Sequence, residues 1–200
     1  MSEPLARSTV RRADAERNRE KILAAARAAF ADTGAPVSMA EISRRAAVGM
    51  ATLYRNFPSR QELLEALYTD EVNAVCAAAA TVVGETPGAV LTAWLHRFFA
   101  FYNSKRHVGS ELLKQSDDGG PLLNEGRSRV LASGRPLLLA AQRSHEVRGD
   151  LNLEQVLDMV IAIAKIDGDT PYLQPILRAA LYRPASRIGG WKASPVSQGK

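Results

Sequence analysis

The sequence predicts an all-α protein with an N-terminal head of three helices, a helical C-terminal body, and about nine helices in total. One observation is a Ser-x-x-Glu pattern, typical of a helix start, which occurs at Ser38 and again at Ser59. The other is that apolar residues recur at helical spacing from residue 62 to Tyr182, with interruptions at turn residues. We divide the chain as follows: 1–13, a flexible basic arm; 14–60, the head; 61–183, the body; 184–200, a disordered tail.

The first helix of the head is predicted from about Asp14 to Thr33, and Gly34 supplies its stop signal. Its apolar face, which includes Ile22 and Phe30, would brace the two helices that follow. Arg17 lies near the start of this helix, where it is within reach of a phosphate.

The two following helices are short and separated by a tight turn. Ser38 starts one, residues 47–49 form the turn, and the second helix covers residues 50–56. Two helices joined by so short a turn form a helix-turn-helix. The second helix places hydrogen-bonding side chains around one buried anchor, Leu53, and such a surface suits a DNA groove.

Pro58 ends that helix, and Ser59 starts a third. This helix presents Arg60 and a set of free amides to a phosphate, and its apolar period continues to Gly84. One long element therefore links the head to the body, and a displacement of its far end would move the head.

These residues resemble the DNA-binding signature of TetR-type transcriptional regulators. The resemblance rests on Thr52-Leu53-Tyr54-Arg55-Asn56-Phe57-Pro58-Ser59-Arg60-Gln61-Glu62-Leu63-Leu64, with Ile42 and Ala46-Ala47-Val48-Gly49 before it. It continues back through Arg19 to Ala26 and Phe30 to Gly34, and it covers roughly residues 15–68. The sequence departs from the family at Ala47, where glycine is usual, and at Asn56, where histidine or tyrosine is common.

The candidate DNA-binding residues follow from this surface and this resemblance. They are Arg17, Ser38, Gly49, Met50, Ala51, Thr52, Tyr54, Arg55, Asn56, Ser59 and Arg60. Base contacts are expected from residues 50–52, Tyr54 and Arg55, and phosphate contacts from Tyr54, Asn56, Arg60 and the amides after Ser59.

The charge distribution agrees with a head that attracts phosphate. Residues 1–61 hold eleven Lys and Arg against six acids, whereas residues 62–200 hold fifteen of each, so the whole excess of +5 lies in the head. A solvated arginine-rich face with no partner is the alternative explanation.

In the body, a helix predicted over residues 89–103 is apolar on nearly all sides and belongs in the interior. Its aromatic residues are candidates for the lining of an apolar ligand cavity: Trp94, Phe98, Phe101 and Tyr102. Ordinary core packing is the alternative for each of them.

The last two helices carry more apolar surface than an outer layer needs. The resemblance implies that they pair with their copies in a second subunit, through Val156, Val160, Ile163, Leu173, Ile176, Leu177 and Leu181. The alternative is that they fold back on their own body and leave a monomer.

Other features point away from competing classes of protein. The histidines form no compact cluster at a known ligand spacing, so we expect no metal and no cofactor. The chain has a single cysteine, Cys76, which fits a reducing compartment. Its apolar runs, such as residues 74–83, are too short to span a bilayer. We therefore expect a cytoplasmic protein. We find no nucleophile–base pair and no phosphate-binding glycine loop, which disfavours an enzyme.

The sequence therefore predicts a sequence-specific DNA-binding regulator. The resemblance implies a homodimeric repressor that binds a partly palindromic operator and is released by a small, largely apolar ligand. An activator or a ligand-independent regulator of the same family remains open, as does a sequence-indifferent DNA-coating protein.

Overall fold

The computed structural model of the chain describes residues 3–31, 37–115, 120–166 and 173–182, and gives the backbone alone for 3–12, 104–107, 109–110 and 113–115. Within these residues the structure contains eight helices and no strand, which confirms the all-α prediction. The helices are α1 (Glu3–Ala31), α2 (Met39–Arg45), α3 (Met50–Asn56), α4 (Arg60–Thr81), α5 (Pro87–Gln115), α6 (Gly120–Arg143), α7 (Leu153–Lys165) and α8 (Leu173–Leu181).

The helix-turn-helix is formed by α2 and α3, as predicted. The Ser38 hydroxyl accepts a hydrogen bond from the Glu41 amide at 3.1 Å and caps α2. The reciprocal half of the predicted cap is absent, because the Glu41 carboxylate binds Arg44 and Arg45 instead. These two guanidinium groups, Arg45 first, hold the pKa of Glu41 below its usual value.

The turn between α2 and α3 places a strained residue where glycine is the usual choice. Ala47 has a φ of 53°, in the left-handed region that costs an L-residue with a Cβ about 1 kcal/mol or more. The buried Ser43 holds this turn, because its hydroxyl donates to the Val48 carbonyl at 2.6 Å and its own carbonyl accepts from the Val48 amide at 3.1 Å.

Helix α1 begins at Glu3, well before the predicted start near Asp14. The predicted arm therefore needs correction: the backbone from residue 3 to residue 13 is helical and continuous with α1. Pro4 lies in the first turn, where a missing amide is tolerated, and the arginines and alanines that follow are strong helix formers. The predicted tail at 184–200 lies outside the described residues.

The body is built around α4, α5 and α6, which pack against one another. Trp94 on α5 is fully buried, and its indole N–H donates to the Val75 carbonyl on α4 at 3.1 Å. Two glycines of α6 admit aromatic side chains at close range. A Cβ on Gly134 would lie 2.1 Å from the Trp94 ring, and one on Gly126 would lie 2.3 Å from the Tyr68 hydroxyl.

Helices α7 and α8 cover this layer. Asn152 and Gln155 form a complete capping box at the start of α7, and α7 packs against α5 and α6. The amide of Arg148, in the loop after α6, donates to the Leu181 carbonyl at 2.9 Å and ties down the end of α8.

The residues predicted for the dimer interface lie mostly inside the single chain. Six of the seven are buried within the single chain and form part of its own core: Val156, Val160, Ile163, Leu173, Leu177 and Leu181. Only Ile176 is exposed, at 39%. The apolar period of these helices therefore marks the face that packs inward, so a partner subunit would have to contact their other faces.

Candidate functional site

The exposed face of α3 is the first candidate site. Met50 and Tyr54 are 39% and 45% exposed, although both are large side chains, and Ala51 and Arg55 are exposed beside them. Thr52 and Asn56 are half-buried, and the Asn56 amide donates to the Thr52 carbonyl at 2.8 Å. This face offers a phenol, a guanidinium and two apolar groups to a partner, without an acidic side chain.

The opposite face of α3 fixes its position in the head. Leu53 is fully buried and Phe57 nearly so. The guanidinium of Arg19 on α1 lies 4.6 Å from the centre of the Phe57 ring, within the range of a cation–π contact. Because these contacts hold α3 from behind, its outer face is presented by a rigid support.

The ends of the neighbouring helices lie next to this face. Gly49 is exposed at the N-cap of α3, and nothing lies within 4 Å of the position that a Cβ would take there. The Ser59 hydroxyl accepts from the Glu62 amide at 3.1 Å and caps α4. Arg17, expected near the start of a helix, is exposed at the middle of α1, because that helix begins at Glu3; it pairs with Asp14.

Arg60 differs from its prediction. We expected a phosphate contact, but its guanidinium donates to the Val37 carbonyl at 2.5 Å, lies 3.3 Å from the Glu111 carboxylate and sits over the Phe30 ring at 5.6 Å. The side chain is only 30% exposed. Arg60 therefore joins α1, the start of α2 and the body helix α5, and is a junction residue in this structure.

A second ion-pair group joins the same parts of the molecule. Arg27 on α1 binds Asp70 and Glu71 on α4. Although partial burial acts in the opposite direction, the hydrogen bonds and charges of these two acids raise the pKa of Arg27 above its usual value. The head is thus held to α4 by charged contacts at its first helix as well as by the apolar core.

The second candidate site is a half-open cavity of about 140 Å³ bordered by α4, α5, α6 and α7. Three of the four predicted ligand residues line it, namely Phe98, Phe101 and Tyr102, and the Phe98 and Phe101 rings lie 5.8 Å apart. Tyr68 enters from α4, and Val130, Leu157 and Ile161 complete the apolar wall.

Trp94, the fourth predicted ligand residue, does not line this cavity. Its ring stacks on Phe98 with centroids 6.2 Å apart, behind the wall and against Gly134. Periodicity placed it on the correct side of α5, but the partner that covers it comes from α6 and is not visible in the α5 sequence.

Sequence reasoning missed two polar residues at this cavity, Tyr68 and Arg127. Tyr68 was assigned only to the apolar stripe of α4, and its hydroxyl donates to the Leu123 carbonyl at 3.3 Å. Arg127 carries no local signal, because one arginine on an amphipathic helix resembles any solvated charge.

Two wider grooves, of about 680 and 700 Å³, lie on the outside of α5. The first runs along α4 and has five alanines among its twelve lining residues, and the second runs along α8 past His96 and Arg178. Each has two helices as walls, whereas the smaller cavity is bordered by four and lined by aromatic rings. Because of this aromatic lining, the smaller cavity is the better candidate for a small apolar ligand.

Within the part of the chain that the structure describes, no three His, Cys, Asp or Glu side chains are grouped so that they could hold a metal ion. None of the helices in these residues is both long enough and apolar enough to cross a membrane.

Comparison with known proteins places both halves of the chain in one family. Residues 22–67 match the model of bacterial regulatory proteins of the TetR family, and residues 86–181 match the C-terminal domain of SbtR-like transcriptional regulators. No curated protein sequence matches the chain.

Solved structures of other regulators are similar to this chain over most of its length. A TetR regulator from Mycobacterium vanbaalenii is similar over 78% of this chain and 95% of its own, at 32% identity and a TM-score of 0.65. The TetR regulator SCO0520 from Streptomyces coelicolor is similar over 83% of this chain and 99% of its own, at 28% identity and a TM-score of 0.68. Salmonella enterica GusR, at 21% identity and a TM-score of 0.54 over 88% of each chain, shares the fold. With its helix-turn-helix, its helical body and these relatives, the chain belongs to the TetR family of bacterial transcriptional regulators.

Proposed function

We propose that this regulator is a homodimeric repressor that binds a partly palindromic operator through α3 and leaves it when a small, largely apolar ligand enters the cavity. The observation that carries the proposal is the face of α3, on which Met50, Tyr54 and Arg55 are exposed while Leu53 is fully buried. A buried anchor with polar and aromatic groups on the outer side is what a helix needs in order to lie in a major groove.

Base contacts would come from residues 50–52, Tyr54 and Arg55. Phosphate contacts would come from Arg17, Asn56, the amides after Ser59 and the exposed Gly49 backbone. Arg60 is removed from this set because its guanidinium is already held by Val37 and Glu111. An arginine on the outer face, such as Arg55, is suited to a bidentate contact with guanine.

Two copies are proposed because α3 has seven residues and would read only one half-site. The buried positions of α7 and α8 are unavailable, so the interface would use their outer faces. The large apolar side chains exposed on this part of the body support this choice: Leu139 on α6, Ile166 at the end of α7 and Ile176 on α8.

The route from ligand to DNA would be α4. Tyr68 lines the cavity, and Arg60, at the start of the same helix, contacts the head. The two residues are eight positions apart, or about 12 Å along a helix. A ligand that moves Tyr68 would therefore shift the helix that supports the head, provided that it binds the two states with different affinity.

The test begins with fragments of the source genome selected by the purified protein at about 0.15 M ionic strength with competitor DNA. Transcription from the selected promoter is then measured with and without protein. A repressor lowers transcription and loses that effect in Tyr54→Ala. An increase in transcription would favour an activator, and binding without a preferred site would contradict the proposal.

A further inference from the structure

The cavity between α4 and α7 has one charged side chain in its lining. Arg127 reaches it from α6, and the other lining side chains are apolar or phenolic. Burial raises the pKa of the Tyr68 phenol, so this hydroxyl stays neutral near pH 7 and does not offset the arginine. The cavity therefore has a cation at its edge and no lining carboxylate.

Arg127 is only loosely held by the protein. Its guanidinium is 3.8 Å from the Asp158 carboxylate on α7, a long separation for an ion pair. The two side chains are 49% and 63% exposed, so the pair is open to water and to competing ions. A carboxylate arriving from the cavity side would meet a guanidinium that has only a weak competing partner and is suited to bidentate binding.

The size of the cavity limits the apolar part of such a ligand. Its volume of about 140 Å³ is close to that of engineered apolar cavities that bind benzene. The Phe98 and Phe101 rings, inclined at 38° to each other, provide aromatic surfaces against which a single ring can pack edge to face.

We propose that the cavity binds a single-ring aromatic monocarboxylate, with its ring against the Phe98 and Phe101 side chains and its carboxylate paired with Arg127 in place of Asp158. This inference rests on the proposed function, which places the effector in this cavity. The inference adds the charge and the size of the effector, and it names Arg127 as the residue that selects the charge.

The test measures binding by calorimetry in the absence of DNA, with benzoate, benzyl alcohol and benzylamine as probes. Benzoate is expected to bind at least about tenfold more tightly than the neutral and cationic probes. Arg127→Gln is expected to weaken benzoate about tenfold or more and to leave benzyl alcohol unchanged. The matched control is Arg135→Gln, an exposed arginine on the same helix outside the cavity lining, and it should change neither probe.

Asp158→Asn provides a second variant in case Arg127→Gln alters the fold. It removes the competing carboxylate, so benzoate should bind severalfold more tightly. Equal binding of all three probes, no binding of benzoate, or unchanged benzoate affinity in both Arg127→Gln and Asp158→Asn would overturn the inference.

Operator binding then separates this inference from the proposed function. If benzoate binds through Arg127 but leaves operator affinity unchanged, the ligand class stands and ligand release fails. If benzyl alcohol releases the protein from the operator and benzoate does not bind, the proposal of ligand release stands and the inference of a carboxylate ligand fails.

Discussion

The head and the body present their candidate sites in different ways. Helix α3 has seven residues; Leu53 anchors it in the core, and the exposed groups of its outer face all lie on this one short helix. The body cavity is bordered by side chains from four helices, from Tyr68 to Ile161. A substitution on the outer face of α3 therefore changes one exposed group, whereas a substitution in the cavity lining alters the packing of several helices.

The largest expected effect lies in the packing of the body. Gly134→Ala would place a Cβ 2.1 Å from the Trp94 ring, which cannot move freely because its N–H is bound to Val75. We expect a loss of about 2 to 3 kcal/mol in the free energy of unfolding, measured by urea denaturation. Gly149→Ala is the control, because nothing lies within 4 Å of its Cβ position, and it should change stability by less than about 1 kcal/mol.

In the head, removal of a contact group should affect DNA binding and leave stability intact. Arg55 is exposed on the outer face of α3, so Arg55→Ala should weaken operator binding by about 1 to 3 kcal/mol and leave the melting temperature unchanged. Fluorescence anisotropy with a labelled operator measures the effect. Arg143→Ala, at an exposed arginine of the body, is the matched control. Equal losses in both variants would indicate attraction by net charge alone.

A smaller effect, with the opposite sign, is expected in the turn between α2 and α3. Ala47→Gly relieves the positive φ of 53° and should stabilise the chain by about 0.5 to 1 kcal/mol, seen as a shift of the urea midpoint to higher concentration. Ala162→Gly, at an exposed position within α7, should instead destabilise it by about 1 kcal/mol. A destabilising Ala47→Gly would show that this turn is not strained.

The smallest effect is expected at the junction between the two regions. Glu111→Gln weakens the ion pair with Arg60, in which the guanidinium nitrogen and the carboxylate oxygen are 3.3 Å apart and both side chains are 30% exposed. We expect a loss of about 0.5 kcal/mol in stability and a change in operator affinity of less than about threefold. Glu125→Gln, at an exposed position on α6, serves as the control. A loss of more than tenfold in operator affinity would show that the junction sets the position of the head.

The sequence predicted most of the head because its signals are local. The caps at Ser38 and Ser59, the turn at residues 47–49 and the anchor Leu53 each depend on neighbours within a few residues. The contact between Arg60 and Glu111 was not predictable from local signals, since the two residues lie 51 positions apart.

In the body, periodicity identified the helices but not the partners of their apolar faces. It could not tell a face buried against the same chain from one buried against a second subunit. Six of the seven residues predicted for the dimer interface are in fact buried within the single chain. The position of Trp94 behind the cavity depends on Gly134, and the polar edge of the cavity depends on Arg127; both residues lie on α6, outside the α5 sequence.

The central claim is that the exposed face of α3 reads a DNA sequence, and the ratio of two affinities tests it most directly. The measurement compares the dissociation constant for the selected operator with that for a scrambled duplex of the same length and composition, at about 0.15 M ionic strength. The account predicts a ratio of about a thousand or more, lost when Tyr54 and Arg55 are both replaced by alanine. A ratio near one for the unaltered protein would mean that the basic head binds phosphate without reading sequence, and would contradict the account.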